Sequence, residues 1–228
     1  MRAVIREQGS RISRLQRELP LALGFLALGM WIASCDNGGH GKNVFAQSAQ
    51  TAQTTTPAAF VTGTFYSPET DLEKLDVQAL DATRATVDFA AFSLTDQAIA
   101  DKLKALAGRG VRVRVYLDRG ELQSECRADV TCARIPLHEL IGLPGVDIRV
   151  KHSKVLMHLK SYEVDNFLVR DGSANFSVQG ESRQDNSATF STDGNALVRF
   201  GRKFQAMWDR ADNLTVAQAV GAEPEKPR

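Results

Sequence analysis

Three things are scarce in this sequence, and each scarcity narrows its reading. The first is net charge. Across 228 residues, 28 basic side chains face 27 acidic ones. Five of the basic residues (Arg2, Arg6, Arg11, Arg14, Arg17) lie in the first 35 positions against Glu7 and Glu18, leaving 23 basic and 25 acidic residues for the rest. A body so close to neutral neither demands nor excludes a polyanionic partner. The second is cysteine: Cys35, Cys126 and Cys132 allow at most one internal bridge. The third is a long apolar run. The N-terminal stretch at 19–33 has 15 residues, short of the roughly 20 needed to span a bilayer as a helix. There is also no internal repeat, and no carboxylate cluster of the kind magnesium favours.

What is present begins with an export signal. The arginine-rich start and the apolar run LPLALGFLALGMWIA fit a signal-peptide core. IASC at 32–35 resembles a bacterial lipobox, in which a small residue precedes a cysteine that takes lipid and becomes the new N-terminus. Cys35 is therefore the candidate lipidation site, and the alternative is an uncleaved N-terminal anchor. Asp36 resembles an inner-membrane retention signal. Both readings put the remaining chain outside the cytoplasm, on the periplasmic face of a membrane. There Cys126 and Cys132, six positions apart, are expected to form a disulfide closing a short loop. Such a loop is worth about 2 kcal/mol in the chain-entropy model. Free thiols, or a metal site with His138, are the other readings, and the metal site lacks an evident fourth ligand.

Residues 36–60 are rich in Gly, Gln, Thr and Ala without apolar periodicity, so they read as a flexible tether in which His40 is idle. A catalytic domain is expected over 61–212, followed by a polar tail over 213–228. Leu72, Leu75, Ala79 and Leu80 share a helical face. TVDFAAF (86–92) is strand-like, and a helix capped by Thr95 follows, with Ile99, Leu103 and Leu106 buried and Gly108 and Gly110 at its end. VRVRVYLD (111–118) alternates as a strand; Arg112 and Arg114 share one face, read as solvated. A short helix is expected near 133–142, then strands at VDIRV, KVLMHLK, YEVDNFLVRDG and SATFS, and a helix over 194–211. Strands alternating with helices give an α/β fold, a mixed sheet flanked by helices, in one copy per chain.

The chemistry concentrates in MHLKSYEVD (157–165). His158, Lys160 and Asp165 form H-x-K-x4-D, and GSANF follows with Gly172, Ser173 and Asn175. On a strand, residues two apart face one side, so His158 and Lys160 are expected to point together. A turn near Asn166 returns the chain toward Ser173 and Asn175. An imidazole, an ammonium, a hydroxyl and a carboxamide converging on one point suit a phosphate. Asp165, odd in spacing, is expected away from the substrate, pairing with a base or fixing the turn. HSK at 152–154 copies the start of the pattern but meets Leu159 where an aspartate is needed, so His152 reads as a surface or packing residue.

These residues resemble the phospholipase D superfamily, whose signature is HxKxxxxD followed by GSxN. The likeness spans roughly residues 64–210, including FYSPE, RGVRVRVYLD and FQAMWDR, and is nearest to the bacterial Nuc-type endonucleases. It implies a metal-independent phosphodiesterase with His158, Lys160 and Asp165 in its catalytic set, and Lys160, Ser173 and Asn175 on the phosphate. No cofactor is implied. His158 would form a phosphohistidine, while a second histidine protonates the leaving oxygen and then activates water. With one signature per chain, the implied partner is a second copy, a homodimer with two His158 residues across a two-fold axis. One departure stands out. Such nucleases commonly carry a glutamate against the catalytic histidine where this chain has Asn186; Glu181 and Asp185 are the possible substitutes.

Nucleic acid, cut without strong sequence preference, is the first substrate reading. A lipid phosphodiester at the membrane, as for a phospholipase or cardiolipin hydrolase, is the second. An inactive envelope-binding protein is the third, and the intact residue set argues against it. Nucleic acid needs a cleft lined by Lys and Arg, for which Arg119, Arg149, Lys151 and Lys154 are candidates, each with a solvated surface as the bland alternative. A lipid enzyme needs an apolar rim at the site.

Overall fold

The structure, a computed structural model, describes residues 61–221. The expectations for Cys35, Asp36, His40 and the whole N-terminal signal lie outside these residues. Strands β1 (Gly63–Ser67), β2 (Thr86–Ala91), β3 (Arg112–Leu117), β4 (Val146–Val150), β5 (Lys160–Val164), β6 (Leu168–Gly172) and β7 (Asn186–Ser191) form one mixed sheet in the order β1-β7-β6-β5-β2-β3-β4. The β2/β3 and β3/β4 pairs are parallel and the others antiparallel.

Helices cover both faces, and a short helix α4 (Val178–Ser182), not expected from the sequence, lies between β6 and β7 in the chain. On one face, α1 (Leu72–Asp81) and α2 (Gln97–Gly108) bury the periodic positions seen in the sequence, among them Leu72, Leu80, Ile99, Leu103 and Leu106, against Val87, Phe89, Val115 and Tyr162. On the other, α5 (Gly194–Trp208) lays Phe204, Met207 and Trp208 on Ala90 and Tyr116. Arg114 lies beneath α5 rather than in solvent. It pairs with Asp88 and stands 5.0 Å from the Phe204 and Trp208 ring centres. The α2 cap is Asp96, not Thr95. The Asp96 carboxylate accepts from Ile99 N at 3.1 Å, while Thr95 N is committed to Phe176 O.

Four further differences have local causes. Helix α3 (Arg119–Cys126) was not expected, because only Leu122 and Cys126 of its eight residues are buried and two apolar positions make no periodicity. The helix expected near 133–142 is a single 3₁₀ turn at Pro136–Glu139. β1 is an edge strand with most of its residues exposed or half-buried, and so gives no alternating apolar signal. The packed unit also runs past residue 212: α6 (Val216–Gly221) buries Val216, Ala219 and Val220, so the segment read as a polar tail is in part core. Cys126 and Cys132 are bonded to each other, both fully buried, and His138 Nδ1 lies 2.8 Å from Ile135 O.

Candidate active site

The polar residues of the sequence motif separate to opposite ends of β5. At its N-terminal end the sheet brings together the last residues of β2, β3 and β6 and the first of β5 and β7. This is the C-terminal end of the parallel strands, where open α/β sheets commonly place ligand sites.

His158 and Lys160 do meet there, though not as strand neighbours. β5 begins only at Lys160, and KVLM is not strand. The preceding residues are held by single bonds: Met157 N donates to Asp118 Oδ2 at 2.8 Å, and Phe92 N donates to Leu159 O at 2.8 Å. What joins the pair is Phe92. The exposed His158 ring meets it edge-on with centres 4.5 Å apart, and Lys160 Nζ sits 4.7 Å above the same ring. Lys160 also donates to the His158 carbonyl at 2.9 Å. Its ammonium is buried, which lowers its pKa; the nearby Glu121 and Asp118 charges oppose that shift.

A buried arginine ties this corner to GSANF. Arg170 Nη1 donates to Lys160 O at 2.6 Å and to Ala174 O at 3.2 Å, so one guanidinium holds the Lys160 backbone beside the Ser173–Asn175 segment. Gly172 is required by the close crossing of β6 and β7: a Cβ there would fall 2.1 Å from Ser187 O. Ser173 Oγ donates to Asn186 Oδ1 and accepts from Ser187 N, both at 2.9 Å, so this hydroxyl fastens the start of β7. The Asn175 side-chain oxygen is buried without a hydrogen-bond donor.

Asp165 is at the other end of β5, about 16 Å from Lys160 at the usual rise of a strand. It does not belong to the pocket. With Asn166 it forms the centre of the three-residue turn to β6, both in the left-handed region (φ 55° and 50°) that Asp and Asn tolerate, and Phe167 N donates to Val164 O at 2.9 Å. Its carboxylate accepts from Arg84 N (2.7 Å), Ala85 N (2.8 Å) and Thr86 N (2.8 Å), anchoring the entry to β2.

The residues considered around the histidine also divide. Asn186 bonds Ser173, Gly180 O and Gln184, and Asp185 lines a surface cleft with Tyr66, Ser67 and Ser173. Glu181 is fully buried in a network whose one sign in the sequence is Arg170, a charge inside an apolar strand. Arg170 bonds Asp76 at 3.2 and 3.1 Å, Tyr162 donates to Asp76 at 2.8 Å, and Glu181 lies 3.9 Å from Arg170. The carboxylate cluster missed in the sequence is here: ligand atoms of Glu73, Asp96 and Glu181 lie within 4.8 Å of one another. Protons account for it. Burial and then Asp76 push the Glu181 carboxyl up to about 11, and burial and then Asp96 push Glu73 to about 7. Both Glu181 oxygens and Asp96 Oδ2 are buried without a hydrogen-bond partner, a state that penalises the ionised form.

Comparison with known proteins now bears on this arrangement. The profile of the family described as "Cardiolipin synthase, PLD-like domain" matches residues 77–208, more than half of the chain. The chain belongs to the phospholipase D superfamily. Among curated relatives, a mitochondrial cardiolipin hydrolase of Chlamydomonas reinhardtii is 27% identical over 128 residues, 56% of this chain and 53% of that protein. One of Xenopus laevis is 29% identical over 154 residues, 65% of this chain and 67% of that protein. The chain thus spans about half the length of the first of these relatives. Among solved structures, Nuc of Salmonella typhimurium, a phospholipase D family member, superposes with a TM-score of 0.57 at 24% identity, covering 68% of this chain and 97% of Nuc. NucT of Helicobacter pylori gives 0.55 at 19% identity, covering 66% and 97%. These two likenesses establish the fold.

Proposed function

We propose that this chain is a metal-independent phosphodiester hydrolase that works through a phosphohistidine at His158. The observation that carries this reading is the exposed imidazole standing beside a buried lysine on one aromatic ring. A nitrogen of His158 attacks phosphorus and the bond to the leaving oxygen breaks. A second imidazole gives that oxygen its proton. The same imidazole then takes a proton from water, whose oxygen attacks phosphorus and breaks the P–N bond. Lys160 steadies a phosphoryl oxygen throughout. We take neither His152, 3.8 Å from Asp212, nor His138, with Nδ1 2.8 Å from Ile135 O, as the second imidazole. A second copy of the chain supplies it, with two His158 residues facing across a two-fold axis.

Two observations favour a lipid phosphodiester over nucleic acid. Val155 and Leu156, just before His158, are 72% and 60% exposed, an apolar rim at the site. Of the four candidate basic residues, Arg149 is stacked on Trp208 and donates to its carbonyl, and Lys151 is buried with its ammonium on Leu156 O. Nucleic acid stays as the second reading because Arg119 and Lys154 line the cleft beside Leu156. Export, and tethering through a lipidated Cys35 or an uncleaved helix, fits the lipid reading. The test is the purified full chain in EDTA, given cardiolipin vesicles in one vessel and plasmid DNA in another. Hydrolysed lipid beside intact plasmid is expected. Degraded plasmid with untouched lipid reverses the substrate order, and full activity of a species that sediments as a monomer removes the shared site.

A further inference from the structure

A histidine that attacks phosphorus or carries a proton needs its ring held in one orientation and one tautomer, commonly by an acceptor on the second ring nitrogen. Asn186 spends its side chain on Ser173, Gly180 and Gln184, and Glu181 is sealed among Asp76, Arg170 and Asp96. Helix α3 brings carboxylates to this corner instead. Its cap, Asp118, accepts from Glu121 N at 3.1 Å and from Met157 N, the residue before His158, at 2.8 Å. Two turns along, Glu125 accepts from Ser93 Oγ at 2.5 Å, and Ser93 follows Phe92, the ring under both His158 and Lys160. Positions 118, 121 and 125 share one helical face. Glu121 therefore lies between two fastenings, each one residue from a member of the Phe92–His158–Lys160 group.

We propose that Glu121 is the positioning residue of this site, a carboxylate on α3 that faces His158 and Lys160 and fixes the orientation and charge of the imidazole. The inference rests on the reading of His158 as nucleophile.

The other two carboxylates of that face are committed, Asp118 to two backbone N–H groups and Glu125 to a serine. The charges agree with the geometry. Glu121 is half-buried; burial and then Asp118 raise its pKa, while Lys160 and His158 pull it back. Glu121 in turn heads the charges that support the Lys160 ammonium against burial. Burial drives Glu125 up to about 7, with Glu121 adding to the rise. The charged groups of this corner are thus Glu121, His158 and Lys160, with Asp118 and Glu125 on the same helical face as Glu121.

The experiment compares the full-length wild type with Glu121→Gln, Glu121→Asp and His158→Ala, using bis(p-nitrophenyl) phosphate as substrate and following the His158 ring by NMR titration. Glu121→Gln should lower kcat at least about tenfold with KM within about twofold. Loss of the carboxylate should change the pH–rate profile and the His158 ring signals. Glu121→Asp should restore most of kcat, and carries the test if the glutamine variant fails to fold. An unchanged profile and titration in a folded Glu121→Gln, beside an inactive His158→Ala, overturns the role of Glu121 alone. An active His158→Ala overturns the catalytic reading beneath it.

Discussion

The two ends of β5 carry residues of one sequence motif and use them in opposite ways. At the start, His158 is exposed on an irregular segment held by a few single bonds, and Lys160, the first strand residue, is desolvated. At the far end, Asp165 satisfies three backbone N–H groups and closes a tight turn. The first end keeps polar groups available at some cost to stability; the second uses a polar group to hold the fold. A motif written as H-x-K-x4-D therefore mixes chemistry with architecture, and spacing alone does not say which residue does which.

The sharpest way to break the comparison is to exchange the consequences. We predict that His158→Ala lowers phosphodiester turnover about a thousandfold or more while its melting temperature stays within a few degrees of wild type, since the ring is exposed. A large loss of stability with residual activity would make His158 an architectural residue after all. Next in size is Arg170→Ala. It strands Asp76 in the interior and frees the Lys160 and Ala174 carbonyls. Removing one partner of a buried pair costs about 3–5 kcal/mol, which a shift in urea midpoint would report. Loss of turnover at unchanged stability would instead move Arg170 into the chemistry.

The sequence was readable wherever local pattern and global packing agree. α1, α2, β3 and the β5–β6 hairpin follow from periodicity and from Asp-Asn turn chemistry, and the pairing of His158 with Lys160 followed from their spacing. The mechanism of that pairing did not follow. The two-apart rule presumes a strand, and the strand starts two residues too late; an aromatic ring 66 positions upstream of His158 does the work. α3 was illegible because its useful residues are polar and face a site rather than a core. The Asp76–Arg170–Glu181 network was illegible because its members come from three elements and its burial is set by tertiary packing. A single signal was available: an arginine inside the apolar strand LVRDG is costly unless paired.

At the architectural end of β5, we predict that Asp165→Ala costs about 2–4 kcal/mol, through three abandoned backbone donors and a side chain less tolerant of positive φ. Turnover per folded molecule should stay within a few-fold of wild type. Asp165→Asn should recover part of the stability, since asparagine keeps one acceptor oxygen and accepts the turn. A stable but inactive Asp165→Ala would place this carboxylate in the reaction and erase the contrast between the two ends.

The smallest effect concerns the floor of the site. A carboxyl whose pKa is raised on folding holds its proton in the native state and loses it in the unfolded chain. Stability then falls as pH rises from the unfolded value near 4.5 toward the folded one, here about 11 for Glu181. The slope is on the order of 1 kcal/mol per pH unit at most for one group. Glutamine resembles the neutral acid and has no proton to lose. We predict that Glu181→Gln folds, is no more stable than wild type at pH 5, and becomes at least as stable by pH 8. Urea unfolding at the two pH values checks this. Parallel pH dependences in the two proteins would mean that Glu181 is ionised in the folded state. The buried network would then need a counter-charge other than a proton, and the Glu73–Asp96–Glu181 cluster would have to be read as a cation site.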